Sequence, residues 1–160
     1  EPFPINTFLR EYIQQLLASE VFLHNISIDY NFSTELDDIL VHIDRHELVQ
    51  VFLNLFQNAV DAQGEKKLSI QITSYRLDNF VRITFTDNGI GIPPAIQEYI
   101  FDPFFSTKDS GTGLGLSVTK KIIQNHNGTL KMTSNENGTT FTISIPILPK
   151  TALEKLNQYI

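Results

Sequence analysis

Asn54 and Asn58 stand four residues apart in "NLFQNAVD", and Asp61 follows three further on. At helical spacing the three share a face distinct from the apolar stripe of Leu48, Phe52 and Leu55. An amide oxygen is a hard ligand suited to magnesium, which takes oxygen donors and keeps several waters. The same residues would equally make the polar outer face of an ordinary helix. A second group ends the run "VRITFTDNGIGI". Val81, Ile83 and Phe85 point one way and Asp87 continues on that side. A carboxylate facing the core is costly unless donors reach it, and the amino group of an adenine, with a water, is such a donor. Gly89 and Gly91 then turn the chain and let a flat ring approach the backbone. A plain strand-ending Asp-Asn-Gly turn accounts for the same letters.

The third group is "DSGTGLGLSV", with Gly111, Gly113 and Gly115 ahead of an apolar pattern. A P-loop needs Lys and Ser/Thr after its last glycine, and none follows. A dinucleotide fold needs a strand just before the glycines, where this chain has the aperiodic "FFSTKDS". What remains is a loop feeding a helix whose first amides can donate to phosphates, or a hinge without a ligand. Last, Thr139 lies on the side of Phe141, Ile143 and Ile145. Its hydroxyl, facing the core, needs a partner: a base nitrogen, the Asp87 carboxylate, or local backbone.

These residues need elements to position them. "NTFLREYIQQLLAS" has helical spacing, and "NISIDYNF" alternates like a half-buried strand. "DILVHI" is a second short strand. A long helix starts at Asp44, with Glu47 completing a capping box, and runs to Gly64. "LSIQITSY" and "FVRITFTD" are strands joined at Asp78-Asn79, and "PPAIQEYI" starts a short helix. Leu114, Val118 and Ile122 mark another helix, ending at Asn127-Gly128. "TLKMTS" and "TTFTISIPI" close a hairpin turning over Asn137-Gly138. The count predicts an α/β two-layer sandwich: a mixed sheet of about five strands with three main helices on one face.

Composition bounds the reading. The 160 residues carry a net charge of -6 and 41% apolar side chains, with no cysteine. This argues against broad nucleic-acid binding and excludes disulfides and thiolate metal sites. It fits a reducing compartment. No apolar run reaches membrane-spanning length.

"HELVQVFLNLFQNAVDA", "DNGIGI", "FDPFF" and "GTGLGL" together resemble the N, G1, F and G2 boxes of the sensor histidine kinase catalytic domain. That domain is shared with gyrase and mismatch-repair ATPases. The resemblance covers residues 1–148, leaving 149–160 as a tail or linker. It implies ATP bound with Mg2+ between the long helix and a mobile lid. Asn58 would ligate the metal with Asn54 nearby, and Asp87 would bind the adenine amino group. Gly89 and Gly91 would shape the base pocket. Gly111, Gly113 and Gly115 would hinge the lid and bring helix amides to the phosphates. Phe101, Phe104 and Phe105 would anchor the lid, and Lys108 would meet a phosphate. Asp61, Ile92, Thr112, Leu114, Leu116 and Thr139 complete the nucleotide-binding set.

The activity implied is transfer of the γ-phosphoryl group to a histidine on a separate helical-hairpin domain, with a response regulator as the later acceptor. The domain itself would be cytoplasmic, monomeric and without membrane or nucleic-acid contact, whether or not its parent is anchored. Two departures bear on this. Many relatives have a basic residue where Asp61 stands. Hydrolytic members use a glutamate where Asn54 stands, and an amide cannot take a proton at neutral pH. Neither a nucleotide-dependent binding switch nor a serine-directed kinase or ATPase is excluded by the letters alone. Of His24, His42, His46 and His126, His46 precedes Glu47 but lies at a helix start with no proline after it, and is read as structural.

Overall fold

Period-two alternation builds the sheet. The computed structural model describes residues 1–107, 111 and 113–157. The elements in chain order are β1 (Phe3–Pro4), α1 (Ile5–Thr7), a π-helical stretch (Phe8–Ile13), α2 (Gln14–His24), β2 (Ser27–Phe32), β3 (Leu40–Val41) and α3 (Arg45–Asp61). Then follow β4 (Ser69–Leu77), β5 (Phe80–Asp87), a 3-10 turn (Pro94–Tyr99), α4 (Gly115–Asn125), β6 (Thr129–Asn135), β7 (Gly138–Pro146) and α5 (Lys150–Asn157). The main sheet has the order β2-β4-β5-β7-β6. β2 runs parallel to β4, and the other pairs are antiparallel.

Register lines up residues of one face in rows across the strands. One row is Ile72, Phe85, Phe141 and Met132; the next is Ser74, Ile83, Ile143 and Leu130. Their side chains join Leu48, Val51, Phe52 and Leu55 of α3 and Ile122 and Ile123 of α4 in one core. Each such buried aliphatic or aromatic side chain contributes about 1.5–3 kcal/mol. The opposite face is lined with threonines, of which Thr86 and Thr140 are hydrogen-bonded at 2.9 Å. This is the mixed five-stranded open sheet with helices on one face that the alternation predicts.

α3 and α4 lie antiparallel, tied near both ends. Asp44 caps α3, accepting from the His46 and Glu47 amides at 2.9 and 3.1 Å. Its own N–H donates to Nε2 of His126, just past α4, at 3.2 Å. Nδ1 of that ring donates to Ile122 O at 2.8 Å, which makes the acceptor nitrogen the unprotonated one. Further along α3, Nδ2 of Asn54 donates to Gly115 O at 3.2 Å and to Thr119 Oγ1 at 3.1 Å.

Several elements differ from the sequence reading. The first helical segment continues past residue 19 to His24, because nothing stops it before Asn25, which takes the left-handed cap conformation at φ 50. "DILVHI" pairs with β1 rather than joining the main sheet. α3 ends at Asp61, ahead of Gly64. The last hairpin turns over Glu136 and Asn137, with Gly138 already paired to Asn135 in the strand. Gly138 answers a different need: at φ +139, a Cβ there would collide with the Asp87 carbonyl oxygen on the neighbouring strand. Residues Ile147 and Leu148 still pair with β3 before α5 begins.

Candidate functional site

The helix-covered face of the sheet ends in a polar row: Ile70 on β4, Asp87 on β5, Thr139 on β7 and Ser134 on β6. Asp87 is 5% exposed and Thr139 4%. Burial pushes the Asp87 carboxyl above its ordinary value, while the Gly89 and Thr139 amides pull it back down. Its Oδ1 accepts the Gly89 N–H at 2.9 Å. The Asp-Asn-Gly turn of the alternative reading is therefore real, and it coexists with a buried carboxylate. The Thr139 hydroxyl finds its partner on neither a local carbonyl nor Asp87, but on Ser134 Oγ at 2.8 Å.

The loop after Asp87 is held on three sides. Asn88 accepts from the Ser69 amide at 2.8 Å and donates to Lys67 O at 3.1 Å, fastening the end of β5 to the start of β4. A Cβ on Gly89 would collide with the Ala62 carbonyl, to which Ile90 N donates at 2.9 Å. Gly91, at φ +75, approaches Asn135 O so closely that no side chain fits. Ile92 N donates to Ser134 Oγ at 2.8 Å, and Gln97 Nε2 donates to Ile92 O at 2.8 Å. Since Ala62 caps α3, the loop lies one turn from Asn58, whose carbonyl accepts the Ala62 amide.

On α3, Asn54 and Asn58 are half-buried and Asp61 exposed. Asn58 Nδ2 donates to Asn54 O at 3.0 Å, committing the nitrogen end of the amide to its own helix. A metal reading therefore falls on its oxygen end. Asp61 accepts from Gln57 Nε2 at 3.0 Å. No group of three His, Cys, Asp or Glu among the described residues is arranged to hold a metal. A magnesium ion held by one amide oxygen, with phosphate oxygens and water completing its shell, fits this donor set.

The aromatic segment divides. Phe101 stacks edge-on to Phe141 with ring centroids 6.3 Å apart, and Phe105 lies 6.1 Å from Tyr99. Both are packed against the core. Phe104 corrects the sequence expectation that all three anchor the segment. Its ring is 78% exposed and its backbone is left-handed at φ 65. What it anchors with is its amide, which donates to Gly113 O at 2.9 Å. Gly113, at φ +70, has no room for a Cβ against the Phe104 backbone. Gly111 is exposed, and Gly115 opens α4 with nothing near its Cβ direction. Leu114 occupies the N-cap, and its side chain makes no capping hydrogen bond to the first turn of α4. Leu116 packs toward the core. Lys108 and Thr112 lie outside the described residues.

Ser134, Gln97 and Thr119 escaped the sequence reading, and Asn88 entered it only as part of a turn. Ser134 carried a usable signal, since Leu130, Met132 and Ser134 alternate onto the core face. A hollow of about 760 Å³ elsewhere, between the first helical segment and the start of α3, is walled mainly by Phe3, Phe8, Tyr12 and Val49 and touches none of the polar row.

The open α/β sandwich thus sets a buried carboxylate at a sheet end, beside an amide-bearing helix. The chain belongs to the family described as "Histidine kinase-, DNA gyrase B-, and HSP90-like ATPase", whose model matches residues 43–149. It is 44% identical over 124 residues to the signal transduction histidine-protein kinase AtoS of Escherichia coli, covering 75% of this chain and 20% of that protein. It is 38% identical over 135 residues to sporulation kinase A of Bacillus subtilis, covering 84% of this chain and 22% of that one. The chain thus spans about a fifth of the length of these curated relatives. Among solved structures, the catalytic domain of histidine kinase ThkA in a nucleotide-free form superimposes with a TM-score of 0.80 at 37% identity, covering 93% of this chain and 98% of that one. ThkA in complex with the response regulator TrrA gives 0.73 at 36% identity, over 94% of this chain and 42% of that one. Full-length ShkA in complex with AMPPNP gives 0.78 at 27% identity, over 92% and 31%. The fold is that of a histidine kinase catalytic domain. No helix among the described residues is long and apolar enough to cross a membrane.

Proposed function

We propose that this domain binds ATP with Mg2+ and delivers the γ-phosphoryl group to a histidine on a separate helical-hairpin domain. The observation that carries the reading is the buried Asp87 carboxylate. It is 5% exposed, and the partners it meets among the described residues are the Gly89 and Thr139 amides. A buried acceptor of this kind suits an incoming donor, and the exocyclic amino group of adenine is one. Gly89, Gly91 and Ile92 would shape the base pocket. Thr139 supplies a second polar group. The phosphates would run toward the first-turn amides of α4, past Leu114, Gly115 and Leu116, with Lys108, Gly111, Thr112 and Gly113 in the covering segment.

Asn58 would hold the metal by its amide oxygen, with Asp61 one turn on and Asn54 tying α3 to α4. Bound magnesium would neutralise charge on the phosphates. The chain's own share is to orient the nucleotide and stabilise the charge on the transferring group. The bond from γ-phosphorus to the bridging oxygen breaks, a bond to an imidazole nitrogen forms, and ADP leaves. The histidine would be supplied by that separate domain; His46 stands in the first turn of α3, at the helix start capped by Asp44. Nothing at the Asn54 position can take a proton from water, which favours transfer over hydrolysis. AtoS, named a signal transduction histidine kinase, and the ThkA–TrrA complex support a response regulator as the downstream acceptor. A cytoplasmic setting follows from the same reading, with residues 1–148 as the catalytic unit.

The test is to add a helical-hairpin phosphoacceptor domain and γ-labelled ATP to this chain. Acid-labile label on the hairpin histidine, abolished by Asn58→Ala, is expected. Tight nucleotide binding with no label would make the domain a switch instead, and acid-stable label would mean a serine-directed kinase.

A further inference from the structure

The polar row contains a hydroxyl pair whose hydrogens can be counted. Ser134 Oγ touches three groups: Ile92 N at 2.8 Å, Gly138 O at 3.1 Å and Thr139 Oγ1 at 2.8 Å. A serine hydroxyl has one hydrogen and two acceptor positions. The Ile92 amide can only donate, so it takes one acceptor position. The Gly138 carbonyl can only accept, so it takes the hydrogen. For the third contact to be a hydrogen bond, Thr139 must donate into the remaining position. This is the one assignment in which all three contacts are bonds. The Thr139 hydrogen is then spent on Ser134, and what Thr139 presents toward Asp87 is lone pairs.

From this we infer that Ser134 is a specificity-determining positioning residue: it orients the Thr139 hydroxyl as an acceptor, so that the row beside Asp87 offers acceptors only and selects a purine bearing an amino group at position 6 over one bearing an oxo group. Asp87 and Thr139 are cross-strand partners, close enough to share one exocyclic group directly or through a water. An amino group brings hydrogens to two neighbouring acceptors. An oxo group brings lone pairs to a wall with no hydrogen to give, so a 6-oxopurine is disfavoured at that position and has only its N1–H to offer in exchange. The inference rests on the reading of Asp87 and Thr139 as the base contact, and adds to it a residue on a third strand that the base itself need not touch.

The probes are ADP and inosine diphosphate, which differ in the group at position 6 and in N1, a bare acceptor in adenine and an N–H in inosine, measured by calorimetry with magnesium on this chain. Wild type should prefer ADP by about tenfold or more. Ser134→Ala frees the Thr139 hydrogen to turn toward the base, and should shrink that preference by about fivefold, chiefly by improving the inosine nucleotide relative to ADP. Ser134→Thr keeps a hydroxyl and should restore the preference. Gln97→Ala loosens the same Ile92 loop without touching Thr139, and should lower both affinities together with the ratio unchanged. Thr139→Val gives an independent reading. Loss of an acceptor lowers ADP affinity more than inosine diphosphate affinity, whereas loss of a donor would do the opposite. An unchanged ratio in Ser134→Ala, or a ratio that rises in Thr139→Val, overturns the inference while leaving the site standing. Failure of wild type to bind ADP overturns the site reading itself.

Discussion

Two polar clusters are buried on the same face of the sheet, and they teach opposite things. At one end Ser74, 2% exposed, donates to Asn6 Oδ1 at 3.2 Å, and Asn6 Nδ2 donates to Ser33 O and Asp37 Oδ1 at 2.7 and 2.8 Å. Every group there is answered from within the chain, and the cluster fastens the first helical segment to the sheet. At the other end Asp87, Thr139 and Ser134 also bond to one another's neighbours, yet the carboxylate's ionisation is held back by burial. A closed network stabilises, whereas a network that keeps acceptor capacity beside glycines is built to receive something. Ser74 and Asp87 lie on the core face alike; only their partners tell them apart.

The sharpest way to break the comparison is to exchange acceptor for donor at Asp87. Asp87→Asn should weaken ADP binding by about a hundredfold. It should not destabilise the ligand-free fold, since it relieves a buried charge. Ser74→Ala should do the reverse, costing about 1–3 kcal/mol in chemical denaturation because it strips a buried partner from Asn6, with nucleotide affinity unchanged. The same contrast has a pH signature. Because the folded carboxyl is raised, the folded chain binds more protons than the unfolded one between the ordinary 3.8 and the raised value. Ligand-free stability arising from this group therefore increases as pH falls through that window, while ADP affinity falls with loss of the ionised acceptor. Titrating both by melting curves separates them.

Smaller effects sharpen the phosphate side. Gly113→Ala should cost about 1–3 kcal/mol or displace the Phe104 segment, because the backbone there is left-handed and has no room for a methyl. Gly115→Ala, at an open position where α4 begins, should stabilise by a few tenths of a kcal/mol, up to about 1 kcal/mol. Equal effects would mean the two glycines do one job. Asn54→Ala removes the tie between α3 and α4 and should cost about 1–2 kcal/mol in urea unfolding.

Much of this arrangement is legible in the letters, for stated reasons. Alternation reported the side on which Asp87 and Thr139 lie, and three- and four-residue spacing put Asn54 and Asn58 together. The family resemblance then named what single residues left open. What escaped is non-local. The bond from Asp44 to His126 joins groups 82 positions apart, and no periodicity encodes it. Gly138 looked like a turn residue because Asn-Gly is a turn signal, yet its constraint comes from the Asp87 carbonyl on another strand. Phe104 was expected to anchor only through the family resemblance, and here its backbone makes the bond to Gly113.

The most direct test is the melting temperature of wild type and Asp87→Asn with and without Mg-ADP. At a nucleotide concentration 100 times the wild-type dissociation constant, wild type should gain about 2.7 kcal/mol of stability, and Asp87→Asn, binding about a hundredfold more weakly, should gain only about 0.4 kcal/mol. An equal gain in both proteins would mean that the nucleotide is held without the buried carboxylate, and would contradict the account.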